Sequence, residues 1–296
     1  MSFKLGRLPN DPSKPRIRLA AHLRAGASPP PSATYDAVPA WGMLGNSEWG
    51  DCTCAGDGHI AELLSFYGQG TEAVVTDAEA LAAYSAISGF DPNAGPSGDN
   101  PTDRGASVQD ALGYLRTTGM SGVKIDAFAE VEPGDINAIQ VAAAQFGCLS
   151  AGVNLPANAQ QQFTDGQPWD AVPDDGGIEG GHCIILCGYD QDFLYFATWG
   201  QVQKATYAWW AKYGEEIWAV VSADWVSAQG TDPEGVNLTS LGVEFATLTG
   251  EPNPFNGTHA PSPEGLLAKL AAEIRAAVAE YRPVADLLHW LEEHGL

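Results

Sequence analysis

Two residues 130 positions apart constrain this chain more than its composition does. Cys52 stands at the head of a helical pattern, and His182 lies where Gly180-Gly181-His182-Cys183-Ile184-Ile185-Leu186-Cys187 passes from glycine into an apolar strand. After Cys52, the residues Ile60, Leu63, Leu64 and Tyr67 recur at the spacing of one helix. A helix N-terminus favours an anion, so a thiol placed there is a candidate thiolate. An imidazole at the rim of a rigid strand is a candidate base for it. Cys54 points elsewhere on the same helix and is the lesser nucleophile. His59 is excluded as the base, because seven residues along one helix separate it from Cys52 by about 10 Å. The fold must therefore bring a strand back to the N-terminus of an early helix.

The rest of the pattern is helices first and strands later. Thr76-Asp77-Ala78-Glu79 reads as a capping box that starts a second helix. Residues 89–106 read as a loop, Ser107 caps a third helix that Gly119 stops, and Asp135 caps a fourth that runs to Phe146. Strands are expected over 123–131, 148–154, 183–189, 193–198 and 216–222.

Charge divides the chain. The net charge is −23, yet residues 1–24 carry +5 and the remainder −28. So acidic a body repels phosphate backbones and anionic lipid, which argues against nucleic-acid and membrane partners. Two readings of the basic arm stay open: it lies on its own acidic domain, or it docks on a partner subunit. The expected organisation is an extended basic arm over 1–40, a domain over 41–250, a Pro-rich linker over 251–261 and an amphipathic helical tail over 262–296. The tail either packs on its own domain or joins the chain to a homo-oligomer or larger assembly. Five cysteines, with no apolar stretch behind Lys4 and Arg7 to act as a signal peptide, read as reduced thiols. A cytoplasmic or virion-associated setting is expected. Asp91, Asn93, Asp99 and Asp103 depart from calcium-loop order and read as a solvated loop, so neither metal nor cofactor is expected. Cys183 and Cys187 read as buried small hydrophobes. Asp174, Asp175 and Glu179 are either loop solvation or the lining of an entrance that prefers cationic substrates.

Gly181-His182-Cys183-Ile184-Ile185-Leu186-Cys187-Gly188-Tyr189-Asp190 resembles the histidine strand of papain-like cysteine peptidases. Ala197-Thr198-Trp199-Gly200 resembles the Asn-Ser-Trp-Gly turn of that family, and Phe146 to Asn154 its preceding strand. The Cys-to-His spacing falls at the lower edge of the ~130 to 150 residues that papain-like enzymes show. Asp51 directly before Cys52 brings the N-terminal motif closest to the bacteriocin-leader-processing, or double-glycine, branch. The resemblance covers about residues 41–225 and implies an α+β fold: an N-terminal helical part packed on a C-terminal antiparallel sheet, here with an arm and a helical tail.

It also implies a cysteine peptidase or amidase acting on a peptide or protein. Cys52 attacks the carbonyl, Asn46 and the Cys52 amide hold the oxyanion, and His182 protonates the leaving amine, with Trp199 and Asp51 beside the substrate. The family's Asn or Asp that orients the histidine has no clear counterpart. Alignment on Trp199 puts Ala197 there, a count from His182 puts Thr198 there, and Gln201 is the next polar neighbour. A second class of function follows from that departure: a papain-fold binding or structural protein of reduced catalytic power, such as a component of a phage-like particle.

Overall fold

The structure, a computed structural model, describes residues 3–229 and 235–256. The expected tail over 262–296 lies outside the described residues. The helices are α1 (Cys52–Gln69), α2 (Asp77–Ser88), α3 (Val108–Thr117), α4 (Ile136–Phe146), α5 (Ala157–Thr164), α6 (Tyr207–Tyr213), α7 (Ala223–Gln229) and α8 (Leu238–Thr249). The strands are β1 (Ala33–Thr34), β2 (Ala127–Val131), β3 (Leu149–Pro156), β4 (Ile178–Tyr189), β5 (Phe193–Thr198), β6 (Gln201–Thr206) and β7 (Gly214–Val221).

Local chemistry sets the helix starts. Thr76 and Glu79 form the reciprocal capping box of α2, and the side chains of Ser107 and Asp135 accept the amides of Asp110 and Ala138. α1 differs, because it is buried along almost its whole length and has no side-chain cap at Asp51. Its placement is tertiary: it packs against β4, with Gly56 letting the helix backbone approach Ile185 and the Cys183 thiol. Gly70, in the left-handed region at φ 73°, ends it.

One antiparallel sheet runs in the order β2-β7-β3-β4-β5-β6, and β1 pairs with the Gly188–Tyr189 end of β4. Helices come first along the chain and the sheet later, an α+β arrangement with the core between α1 and β4. β4 begins five residues before the expected strand start, because Gly180 and Gly181 continue the ladder opposite Leu155 and Asn154. The expected strand over 123–131 shortens to β2, since Met120 and Val123 close a separate turn. β6 was not expected from the sequence: Gln201, Gln203 and Lys204 give it little apolar alternation, and pairing with β5 holds it in place.

Glu62 is an interior cost of this arrangement. It is buried in α1 with Oε2 unpaired, and burial raises its pKa to about 8. A carboxyl whose folded pKa exceeds its unfolded value binds more protons when folded, so its contribution to stability falls as pH rises from about 4.5 to about 8. Urea midpoints of Glu62→Gln and the parent are expected to diverge steadily across that window in favour of the variant, while a constant difference would remove Glu62 as the cause.

Candidate active site

Cys52 is the first residue of α1 and is 1% exposed. The backbone amides of Cys183, the residue after His182, and of Gly6 lie near enough to the thiol to favour its anion. His182 sits on β4 opposite Val153, also 1% exposed. The fold thus returns the histidine strand to the helix that carries the cysteine, as the sequence requires.

The imidazole is fixed from two sides. Its Nε2 is hydrogen-bonded to Thr198 Oγ1 at 2.8 Å, and its ring stacks on Trp199 with centroids 4.3 Å apart. Of Ala197, Thr198 and Gln201, Thr198 is the one bonded to the ring, and Gln203 and not Gln201 is the buried glutamine of the next strand. The other nitrogen, Nδ1, is buried without a hydrogen-bond partner among the described residues, so the thiol–imidazole hydrogen bond is not made in this arrangement.

Electrostatics departs from the expectation of a depressed thiol. Burial pushes Cys52 up to about 12, outweighing the nearby backbone amides of Cys183 and Gly6. Burial, with the nearby Arg7 charge, pulls His182 down to about 3. The pair is a neutral thiol and a neutral imidazole here. A helix N-terminus lowers a thiol pKa only where the thiolate keeps some solvation, and Cys52 has almost none.

Asn46 and Asp51 form the shoulder of the site. The Trp199 indole N–H donates to Asn46 Oδ1 at 2.9 Å, which fixes the amide orientation because an indole nitrogen can only donate. Nδ2 then donates to the Trp49 carbonyl at 3.0 Å and to Asp51 Oδ1 at 3.2 Å. Both amide hydrogens are spent inside the loop. Asp51 is fully buried, and burial raises its carboxyl well above the usual range. It accepts from Asn46 and has no exposed surface in this arrangement.

The main feature that sequence reasoning missed is what covers the site. Residues 3–8 of the basic arm run across it. Phe3 stacks on Trp199 at 4.5 Å, and its backbone pairs with the Gln160 amide. The Gly6 and Arg7 amides both donate to the Gly181 carbonyl, at 3.2 and 3.0 Å. On the other side Ala106 donates to the Gly6 carbonyl and Leu8 donates to the Ala106 carbonyl, each at 2.9 Å. The passage is lined by glycine: a β-carbon on Gly6 would collide with the Gly50 carbonyl, one on Gly105 with Gly6, and one on Gly181 with Arg7. Of the two readings left open for the arm, these contacts match its lying on its own domain. The only signal in the sequence was the charge opposition, which carries no register.

Of the acidic residues before His182, Asp175 is held by Lys212 and Tyr213, and Glu179 accepts from Gln160, while Asp174 and Glu179 are exposed. Among the described residues no group of three His, Cys, Asp or Glu side chains is placed to hold a metal ion, and no helix is long and apolar enough to cross a membrane. The five cysteines are free and buried.

This helix-and-sheet arrangement recurs among solved structures. Xylellain, a cysteine protease from Xylella fastidiosa, superposes with a TM-score of 0.59 at 14% identity, over 75% of this chain and 98% of that one. The fold is papain-like. Procathepsin L 3 of the Tenebrio molitor larval midgut also aligns, with a TM-score of 0.49 at 12% identity, over 74% of this chain and 75% of that one. No protein-family model and no curated protein sequence matches the chain. At these identities the likeness is one of fold alone.

Proposed function

We propose that this protein is a papain-like cysteine peptidase or amidase whose own N-terminal arm keeps it latent. The observation that carries the reading is the peptide of residues 3–8 lying across Cys52 and His182, bonded through its backbone to Gly181 and Ala106. A cleft that holds one extended peptide over a thiol can hold another. With the arm displaced, water reaches the pair, the Cys52 proton passes to His182 Nδ1, and Thr198 on Nε2 keeps the ring turned that way. The thiolate attacks an amide carbonyl, and the oxyanion is held by the Cys52 amide. Asn46 joins it by exchanging its Asp51 bond. Protonated His182 then protonates the leaving amine, and water releases the acyl group. The arm itself escapes attack because the Gly6 carbonyl is drawn to Ala106. Assignment to the double-glycine branch rests on the Asp51-Cys52 motif and is part of this proposal.

The test is the pH dependence of Cys52 alkylation by iodoacetamide, read by peptide mass spectrometry in a chain whose arm is displaced by Gly6→Val, with and without His182→Ala. A rate plateau below pH 8 that His182→Ala abolishes supports the peptidase. Ordinary thiol titration near ~8.5 in both would leave a papain-fold binding protein, the reading favoured by a threonine where the family carries an amide or carboxylate.

A further inference from the structure

The arm is also held through the side chain of Arg7, in a buried polar pocket. The Arg7 side chain is 1% exposed. Its Nη1 donates to Glu216 Oε1 at 2.8 Å, and Nη2 donates to Asn154 Oδ1 at 3.0 Å and to a carboxylate oxygen of Glu215. Adjacent residues of a regular strand point to opposite faces, so one side chain should not reach both glutamates. A bulge resolves this. Gly152 of β3 pairs with Glu216 but Val153 pairs with Gly214, which leaves Glu215 as the extra residue and turns both carboxylates to Arg7. Gly152 supplies the room: a β-carbon there would lie 2.6 Å from Arg7 Cδ and 2.7 Å from Glu216 Cγ. The Trp218 indole N–H, donating to Glu216 Oε2 at 2.8 Å, fixes the carboxylate from behind.

We propose that this pocket, floored by Gly152 and walled by Glu216, Glu215 and Asn154, is a specificity site for an arginine side chain. The chain then takes peptides with arginine directly after a glycine, of which residues 6 and 7 of its arm are the resident example. The glycine follows from the Gly50 carbonyl, which a β-carbon at residue 6 would overlap. Arginine and not lysine follows from the geometry: separate guanidinium nitrogens meet acceptors in different directions, and an ammonium cannot span them. The proposal rests on reading the cleft as a peptide site, but not on catalysis there.

The test uses the full-length chain with Gly6→Val and Arg7→Ala, which together remove the arm and its competing arginine. Its probe is the acetylated, amidated hexapeptide Phe-Lys-Leu-Gly-Arg-Leu, the sequence of residues 3–8. The readout is protection of Cys52 from iodoacetamide. The arginine peptide is expected to protect at concentrations at least tenfold below those of its citrulline and lysine counterparts, and adding Glu216→Gln is expected to erase that difference. Equal protection by all three peptides, or by none, overturns the pocket. Alkylation of an unactivated thiol still reports protection, so failure of the peptidase reading leaves this test standing. Should the double variant keep Cys52 covered, the parent chain decides: Arg7→Gln is expected to speed hydrogen exchange of the Arg7 and Leu8 amides at least tenfold and Arg7→Lys nearly as much, and unchanged exchange in both overturns the proposal.

Discussion

Replacing Gly6 by valine is expected to speed alkylation of Cys52 by iodoacetamide at pH 7.5 by a factor on the order of a hundred to a thousand. The thiol is held at about 12 by burial, against an ordinary value of ~8.5, so the closed site carries roughly three decades less thiolate than an open one. The valine acts because the wall cannot retreat. The β-carbon of residue 6 is aimed at the Gly50 carbonyl, and Gly50 is tethered through its amide to both Asp103 oxygens, at 3.0 and 3.2 Å, one residue before the α1 cap. Residue 6 itself is held only by backbone bonds to Gly181 and Ala106, with the Arg7 side chain on Glu215, Glu216 and Asn154 as the neighbouring anchor, so the arm gives way at residue 6 before the wall does. Leu8→Ser, at a side chain 44% exposed, is the matched control and should leave the rate unchanged. A rate unaffected by Gly6→Val would mean that the arm does not gate the thiol.

The same contacts show what was and was not legible in the sequence. Cys52 heading a helix and an apolar strand carrying His182 are local patterns, stated within a few residues by a periodicity and by a glycine-to-apolar passage, although β4 starts four residues before His182. The strand preceding His182 was readable for the same reason, whereas the Trp199 turn was legible only through its resemblance to the Asn-Ser-Trp-Gly turn of papain-like peptidases. The bulge that aims Glu215 and Glu216 together was not, because it depends on the partner strand and leaves no mark on Gly214-Glu215-Glu216 itself. Nor was the path of the arm, which is set by three glycine contacts between segments distant in sequence. The inversion of the cysteine's expected acidity follows from that path. A helix terminus is visible in one sequence window, whereas desolvation is a property of everything that closes over the site. Asn46 shows the middle case: its position was readable, but its hydrogen-bond partners were decided by an indole that arrives from β5 and β6.

That indole belongs to the residue whose loss should cost the fold most. Trp199 and Gly200 form the two-residue turn between β5 and β6, both with positive φ, at 46° and 79°. This is the conformation for which Asn-Gly is the favoured pair, and a bulky aromatic there is held against its backbone preference. The surroundings supply the compensation: His182 stacks on one side at 4.3 Å and Phe3 at 4.5 Å, Phe163 and Trp169 meet its edges or face at 5.0 and 6.1 Å, and Asn46 takes the N–H. Trp199→Ala is expected to destabilise by about 3–5 kcal/mol, the range for truncating a buried aromatic. That lowers the melting temperature by roughly 6–20 °C for a domain of this size, measurable by calorimetry. Trp199→Asn separates the two contributions. It relieves the backbone while removing the same packing, so it should recover about 1 kcal/mol over alanine and no more. An asparagine variant as stable as the parent would show that the aromatic cluster contributes nothing net. Because Phe3 covers part of the indole only while the arm is seated, Gly6→Val should reduce the cost of Trp199→Ala. A double-mutant cycle that closes to zero would separate the arm from the turn it covers.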